Sequence, residues 1–232
     1  VVPGIDPSFV IEGAAERAVQ LGETLEAAGF TGVTVLTGAQ ATQAGIRAAL
    51  ALALAGGESG STVVFLFEGH GIGGDYGDAR LLSTDDHPDT MSNTAMDVER
   101  LSSLLAGADR KVVVITDAVH KGSLAGTELR GPVASDWTNP GHSLAAISAT
   151  SGGQTSTPGV LQAALTAGLE GDADTNRSGA ITLGELADFL RKRVGAVGGS
   201  RMIPMRTGGL REDHLIATAV RAPQAEVVAV PL

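Results

Sequence analysis

The stretch "TVVFLF", Thr62 to Phe67, runs apolar without alternation. A strand with one wet face alternates apolar and polar residues, so an unbroken run of this kind belongs in a sheet covered on both faces. "KVVVIT", Lys111 to Thr116, repeats the pattern, and between the two Val98, Leu101 and Leu105 recur at helical spacing. Strand, helix, strand with both strands apolar predicts a parallel pair joined by a crossover helix.

The remainder of the chain extends that alternation. Val1–Asp6 reads as a first strand; Ala14, Ala18, Leu21, Leu25 and Ala28 mark a helix that Gly29 stops; Val33–Leu36 reads as a second strand; Ile46, Leu50 and Leu54 mark a helix ending at Gly56-Gly57. Segment 120–142 has no periodicity and reads as a long loop. Ser143–Ala149 is a fifth strand, Leu161–Leu169 and Leu183–Val194 are helices, the glycine-rich stretch 195–209 is a mobile connection, and His214–Val220 is the last strand. The pattern predicts one α/β domain over 1–232, with a six-stranded, mostly parallel sheet between helical layers.

Composition removes several classes of function. With 43% hydrophobic residues, the 232-residue chain has ample material for one core. Acids outnumber bases 26 to 16, a net charge of -10, which is the wrong sign for a protein that tracks a phosphate backbone, so no nucleic acid is expected as partner. There is no cysteine, hence no disulfide, thiolate metal site or cysteine nucleophile. No apolar run approaches the ~18 residues of a membrane span, and Pro3 and Asp6 argue against a signal peptide at the start. A soluble monomer is expected. The compartment stays open, with the cytoplasm favoured.

Two strand ends carry chemistry. After "TVVFLF" comes Glu68-Gly69-His70-Gly71, and after "KVVVIT" comes Asp117-Ala118-Val119-His120. Carboxyl ends of strands in open α/β sheets are where ligands bind. Gly69, Gly71 and Gly74 formally match a dinucleotide fingerprint, but "DYGDARLL" downstream is no helix and offers no helix N-terminus for a pyrophosphate. His70 between glycines is a stronger candidate, because the glycines let a substrate backbone approach an imidazole.

"VVFLFEGHG" followed by "KVVVITDAVHKG" resembles the caspase-like cysteine peptidases, the group of caspases, metacaspases and bacterial orthocaspases. "VVPGID" looks like that family's first strand, "SATSGGQTS" like the segment after its fifth, and "GLEGDADTNRSGAITLGELADFLRKRV" like the carboxyl-terminal part of bacterial members. The resemblance implies a three-layer αβα fold. It implies His70 as the catalytic histidine, Asp117 as the acid preceding the nucleophile, and Val119 at the nucleophile's own position. Valine has no lone pair and cannot attack a carbonyl. The chain therefore resembles a pseudopeptidase: no longer an enzyme, but a peptide-binding or regulatory domain. Asp117, with Asp85 and Asp86 where the family's pocket acids are found, implies a basic ligand, an arginine- or lysine-containing peptide or protein segment; Gly71 and Ser148 complete the expected cleft. Two alternatives remain: a hydrolase using Ser123, Ser148 or Ser151, and a scaffold with no working cleft. Glu68 is expected to pair with His70 or point to solvent.

"DTNRSGAITLGE" adds a possible metal loop. From Asp174 it places Asp174, Asn176 and Ser178 at positions 1, 3 and 5, Gly179 at 6, the Ala180 carbonyl at 7, Thr182 at 9 and Glu185 at 12. That is the register of an EF-hand Ca²⁺ loop, weakened by Ser178 and by having only two carboxylates. Thr182 with Glu185 three residues on is also a capping box, which starts a helix without metal. The two readings are compatible. His120 is expected to line the loop rather than catalyse, His87 to belong to a solvated acidic turn or ligate a metal, and His142 to sit in the long loop; His214 receives no role, and Trp137 either meets a partner or packs over the sheet.

Overall fold

A computed structural model of the chain describes residues 10–72, 79–87, 95–118, 123–124, 127–128, 131–137, 143–150, 155–198 and 205–220. Val1–Asp6, Gly74, Val119, His120, His142 and Ser151 lie outside these residues.

The two apolar runs pair as expected. β1 (Thr62–Glu68) lies parallel to β5 (Lys111–Asp117), in register from Thr62↔Lys111 to Glu68↔Asp117. On the other side of β5 lies β8 (Leu144–Ser148), again parallel, from Val112↔Leu144 to Thr116↔Ser148. Alternation of side chains then builds two cores at once. Val113, Ile115, Ala145 and Ile147 face α1 (Ala14–Ala27), α4 (Val160–Ala167) and α5 (Leu183–Gly198), burying Leu21, Leu25, Leu161, Leu165, Leu186 and Leu190. Phe65, Val112, Val114, Leu144 and Ala146 face α2 (Gln43–Ala55) and α3 (Val98–Ala106), burying Ile46, Leu50, Leu101 and Leu105. Helices on both faces of a mostly parallel sheet make three αβα layers.

Four strand expectations are corrected. Among the described residues the central sheet has four strands, in the order β1-β5-β8-β10, where β10 (Met205–Gly208) runs antiparallel to β8. This strand falls in the stretch expected to be a mobile connection; "MRTG" has no apolar run, and among the described residues it lies at the edge of the sheet. Val33–Leu36 pairs with no strand among the described residues. Val33 and Val35 instead lie against α1 where Gly22 has no side chain: a Cβ there would come 2.7 Å from Val35. The expected last strand forms as β11 (Leu215–Thr218) but pairs with β9 (Ala180–Thr182) in a separate two-stranded sheet. The expected loop 120–142 contains a short hairpin, β6 (Ser123–Leu124) with β7 (Thr127–Glu128).

Around His70 the chain forms a third small sheet, in which β2 (Gly71–Ile72), β3 (Arg80–Leu81) and β4 (Met96–Asp97) pair antiparallel. No helix among the described residues is long and apolar enough to cross a membrane.

Gly208 ends β10 at φ 115, a conformation costly to any residue with a Cβ. A Cβ there would also collide with the Leu144 carbonyl oxygen. Gly208→Ala should destabilise the fold by about 1–3 kcal/mol, read as a lower urea midpoint with an unchanged denaturant slope.

Candidate functional site

The register of β1 and β5 puts Glu68 beside Asp117 at the carboxyl ends of adjacent strands, and Gly69 extends the pairing by donating its N–H to the Asp117 carbonyl at 3.0 Å. Strand alternation sends both carboxylates toward α1 and α4, since Val64, Leu66, Val113 and Ile115 pack on that side. His70 follows within two residues. It is 9% exposed, and its carbonyl accepts the Leu82 N–H at 3.0 Å, which ties the histidine turn to the end of β3.

Gly71 and Gly131 are demanded by a close crossing. A Cβ on Gly71 would strike Pro132 and come 2.8 Å from the Gly131 Cα, while a Cβ on Gly131 would strike the Ala118 carbonyl. The 131–132 segment therefore packs against both strand ends, and Gly71 serves an internal contact. Ala118, the last described residue before position 119, is buried beneath it.

Asp117 is fully buried. Burial pushes its carboxyl pKa up to about 6, opposed by a hydrogen bond with the Ser156 side chain and by the charge of Arg17. Arg17 is the residue the sequence reading missed. It comes from the first full turn of α1, and its Nη2 sits 2.6 Å from Glu68 Oε1, while Nη1 donates to the Glu12 carbonyl at 2.9 Å. The expectation that Glu68 pairs with His70 or faces solvent did not include this partner. One signal existed: Arg17 lies four residues before Leu21, so it shares the face of α1 that enters the core.

The other expected cleft residues have well-defined neighbours. Ser148 Oγ accepts the Ala134 N–H at 3.0 Å and donates to the Thr150 carbonyl at 2.6 Å, pinning the 131–137 segment to the end of β8. Its position in β8 turns it to the α2/α3 face, opposite the face that receives Asp117. Asp85 Oδ1 accepts the Gln43 N–H at 2.9 Å at the start of α2. Its slight burial would raise its pKa, but hydrogen bonds from Gln43, Ser83 and its own amide outweigh that and lower it. Asp86 Oδ2 accepts the Ser83 N–H at 2.7 Å and the Ser83 hydroxyl at 2.8 Å. Both acids thus hold a turn and a helix start. Trp137 is 1% exposed and packs edge-on against Phe65 with ring centroids 6.4 Å apart, so it covers the sheet. His214 meets Thr62 Oγ1 at 2.8 Å, at the opposite end of β1.

The 174–185 loop is closed by its own side chains. Asp174 Oδ1 accepts the Ser178 N–H at 2.9 Å and Oδ2 the Gly179 N–H at 2.8 Å; Asn176 Oδ1 also accepts from Ser178 N–H at 2.8 Å. Gly179 has φ 81, as the sharp turn needs. Glu185 accepts from the Thr182 N–H at 3.1 Å and its hydroxyl at 2.9 Å, and Thr182 Oγ1 accepts the Glu185 N–H at 3.3 Å, a complete capping box. Glu185 also accepts from Thr175 Oγ1 at 3.2 Å, so the carboxylate at position 12 already reaches back across the loop.

A family model of the caspase domain (peptidase C14) matches residues 11–210. Among solved structures, protein GSU0716 from Geobacter sulfurreducens superposes with a TM-score of 0.58 at 17% identity, covering 85% of this chain and 84% of that one. The structure of pro-sf-caspase-1 superposes with a TM-score of 0.53 at 18% identity, covering 95% and 87%. At such identities the likeness is one of fold. No functionally curated protein matches the chain in sequence.

The raised Asp117 pKa sets a pH dependence. The folded protein holds this proton more tightly than the unfolded chain, whose carboxyl titrates near ~4, so stability falls as pH rises from there through about 6 and then levels off. Asp117→Asn should remove that slope. Urea unfolding of both proteins across the window should show their stabilities diverging by about 2–3 kcal/mol, with the variant relatively more stable at the upper end.

Proposed function

The chain belongs to the caspase-domain family, and we propose that within it this protein is a pseudopeptidase that binds basic peptide segments without cleaving them. The observation that carries the reading is the pairing of strand ends: His70 and the Glu68–Asp117 carboxylate pair stand at the carboxyl edge of the sheet in a chain that contains no cysteine. Peptide cleavage of the family's kind needs a thiolate within reach of the histidine. By the resemblance, that position is Val119. Of the three serines offered as substitutes, Ser148 donates its proton to the Thr150 carbonyl and lies on the other face of the sheet from Asp117.

A carboxylate pair in a water-poor setting favours a planar, bidentate cation over a point charge, so arginine is the expected anchor rather than lysine. Regulation follows from the same chemistry: a domain that holds an arginine segment and never releases a product acts as a dock.

The 174–185 loop supplies a second proposed ligand, one Ca²⁺, through Asp174, Asn176, Ser178, the Ala180 carbonyl, Thr182 and Glu185. In favour stand the Asp174 carboxylate held by the amides of positions 5 and 6, the turn at Gly179, and Glu185 folded over the loop. The ion would have to draw Glu185 away from its cap on Thr182, which with two carboxylates in all keeps affinity near ~10⁻⁴ M.

Fluorogenic peptides with arginine, lysine or aspartate before the scissile bond should not be turned over. His70-dependent cleavage would overturn the pseudopeptidase reading, and Val119→Cys is expected to restore a trace of activity. Arginine peptides should bind in calorimetry, with Asp117→Asn weakening them at least ~10-fold, about 1.4 kcal/mol; binding indifferent to that substitution would count against the pocket.

Calcium titration should show one site that Glu185→Gln abolishes, with a melting temperature that climbs with calcium concentration. Absence of both heat and thermal shift at millimolar calcium would leave the capping box alone.

A further inference from the structure

We infer that Arg17 is an internal ligand of the acidic subsite: its guanidinium takes the place that an arginine of a bound peptide would take, and the subsite opens only when this side chain is displaced. The inference rests on the peptide-binding reading above and adds to it the residue that keeps the site closed.

Three observations converge on the guanidinium. Glu68 and Asp117 are register partners whose side chains leave the sheet on the same face, so two carboxylates share one small volume. Into that volume α1 delivers a single cation, in contact with Glu68 at 2.6 Å and close enough to Asp117 to favour its charged form. Lastly, the slot is shaped for it by two glycines in left-handed conformations from different parts of the chain. A Cβ on Gly13, at φ 71, would lie 2.9 Å from Arg17 Nη1, and one on Gly159, at φ 80, would lie 3.0 Å from Arg17 Cδ and 3.1 Å from its Nε. Gly13 precedes α1 and Gly159 precedes α4, so both helix starts yield space to one side chain.

The arrangement is closed but not sealed. Arg17 keeps 25% of its side-chain surface exposed, whereas Glu68 keeps 9%. An ion pair with the acid inside and the base at the mouth is one whose base can be exchanged. The exchange is charge-neutral within the site, one guanidinium for another, so an incoming arginine meets no new desolvated charge, and its affinity is reduced by the fraction of time Arg17 stays bound. A tethered side chain competes at the high effective concentration of an intramolecular ligand.

Arg17→Met keeps the length of the side chain and removes the competing charge. Calorimetry of an arginine-containing peptide and of methylguanidinium against the 232-residue chain, Arg17→Met, Arg17→Lys and Arg17→Met/Asp117→Asn decides the matter, with circular dichroism confirming the fold. Arg17→Met should bind both probes at least ~10-fold more tightly than the unaltered chain, Arg17→Lys should fall between them, and the double variant should lose the gain. Methylguanidinium should also raise the melting temperature of Arg17→Met and leave that of the unaltered chain in place, which a merely structural ion pair with no exchangeable slot would not do. If the unaltered chain binds the peptide and Arg17→Met binds it no better, the internal-ligand inference is wrong and the peptide-binding reading stands. If neither binds either probe, both are wrong. Should Arg17→Met fail to fold, Arg17→Lys decides by the same comparison.

Discussion

The parallel register of β1 and β5 is the constraint on which the rest depends. Once Thr62 pairs with Lys111, Glu68 must pair with Asp117, and alternation sends both carboxylates to one side. Two acids at adjacent strand ends lose hydration, Asp117 completely, at a cost of several kcal/mol for a buried ion unless a partner offsets it. One arginine is shared between them. Glu68 makes a direct contact with it, while Asp117 feels the charge of the same cation, bonds the Ser156 side chain and has a raised pKa. The entry of α1, the glycine before it and the glycine before α4 are all consistent with bringing that guanidinium to the strand ends. The same contact that lets the sheet end in two acids also covers them.

The two faces of the sheet divide the work. Toward α1, α4 and α5 lie the charges; toward α2 and α3 lie Ser148, Trp137 and the segment that crosses over Ala118. The Ser148 hydroxyl fixes that segment from below, and the missing side chains of Gly71 and Gly131 let it press against both strand ends. A serine so committed at both donor and acceptor has little freedom to act on a substrate. The hydrogen bonds of Ser148 thus hold the 131–137 segment to the end of β8.

How much of this was legible in the sequence depended on the kind of signal. Long apolar or periodic stretches were: the five helices and the three parallel strands stand where periodicity put them. Val33–Leu36 has strand composition yet pairs with no strand among the described residues; its valines lie against α1, where the absence of a side chain at Gly22 leaves room for Val35. Met205–Gly208 has loop composition yet forms an edge strand, because an edge needs backbone hydrogen bonds more than apolar side chains. His70 and Asp117 stood out in the sequence because ionisable residues at the end of an apolar run are conspicuous, and both lie at the carboxyl ends of adjacent strands. Arg17 did not, because an arginine on an amphipathic helix usually faces water, and only the tertiary contact with Glu68 distinguishes it. Asp85 and Asp86 carry a second signal that the sequence alone did not separate from a pocket: their oxygens accept from the first residue of a helix and from a turn.

The 174–185 loop shows how one carboxylate can satisfy two descriptions. Glu185 caps α5 through Thr182 and closes the loop through Thr175, so the turn is complete with protein groups alone. β9, which lies within the loop, is also tied to β11, and Ile181 and Leu183 on either side of Thr182 are fully buried. A cation drawing Glu185 inward would therefore sacrifice cap hydrogen bonds worth ~1 kcal/mol and gain charge-assisted oxygen contacts in a loop whose backbone the core already fixes. A fixed backbone lowers the ordering cost of binding and leaves ion affinity to donor strength. Donor strength is where this loop is poor, with Ser178 and Asn176 in place of carboxylates, so any bound ion would compete only weakly with the capped state that the structure shows.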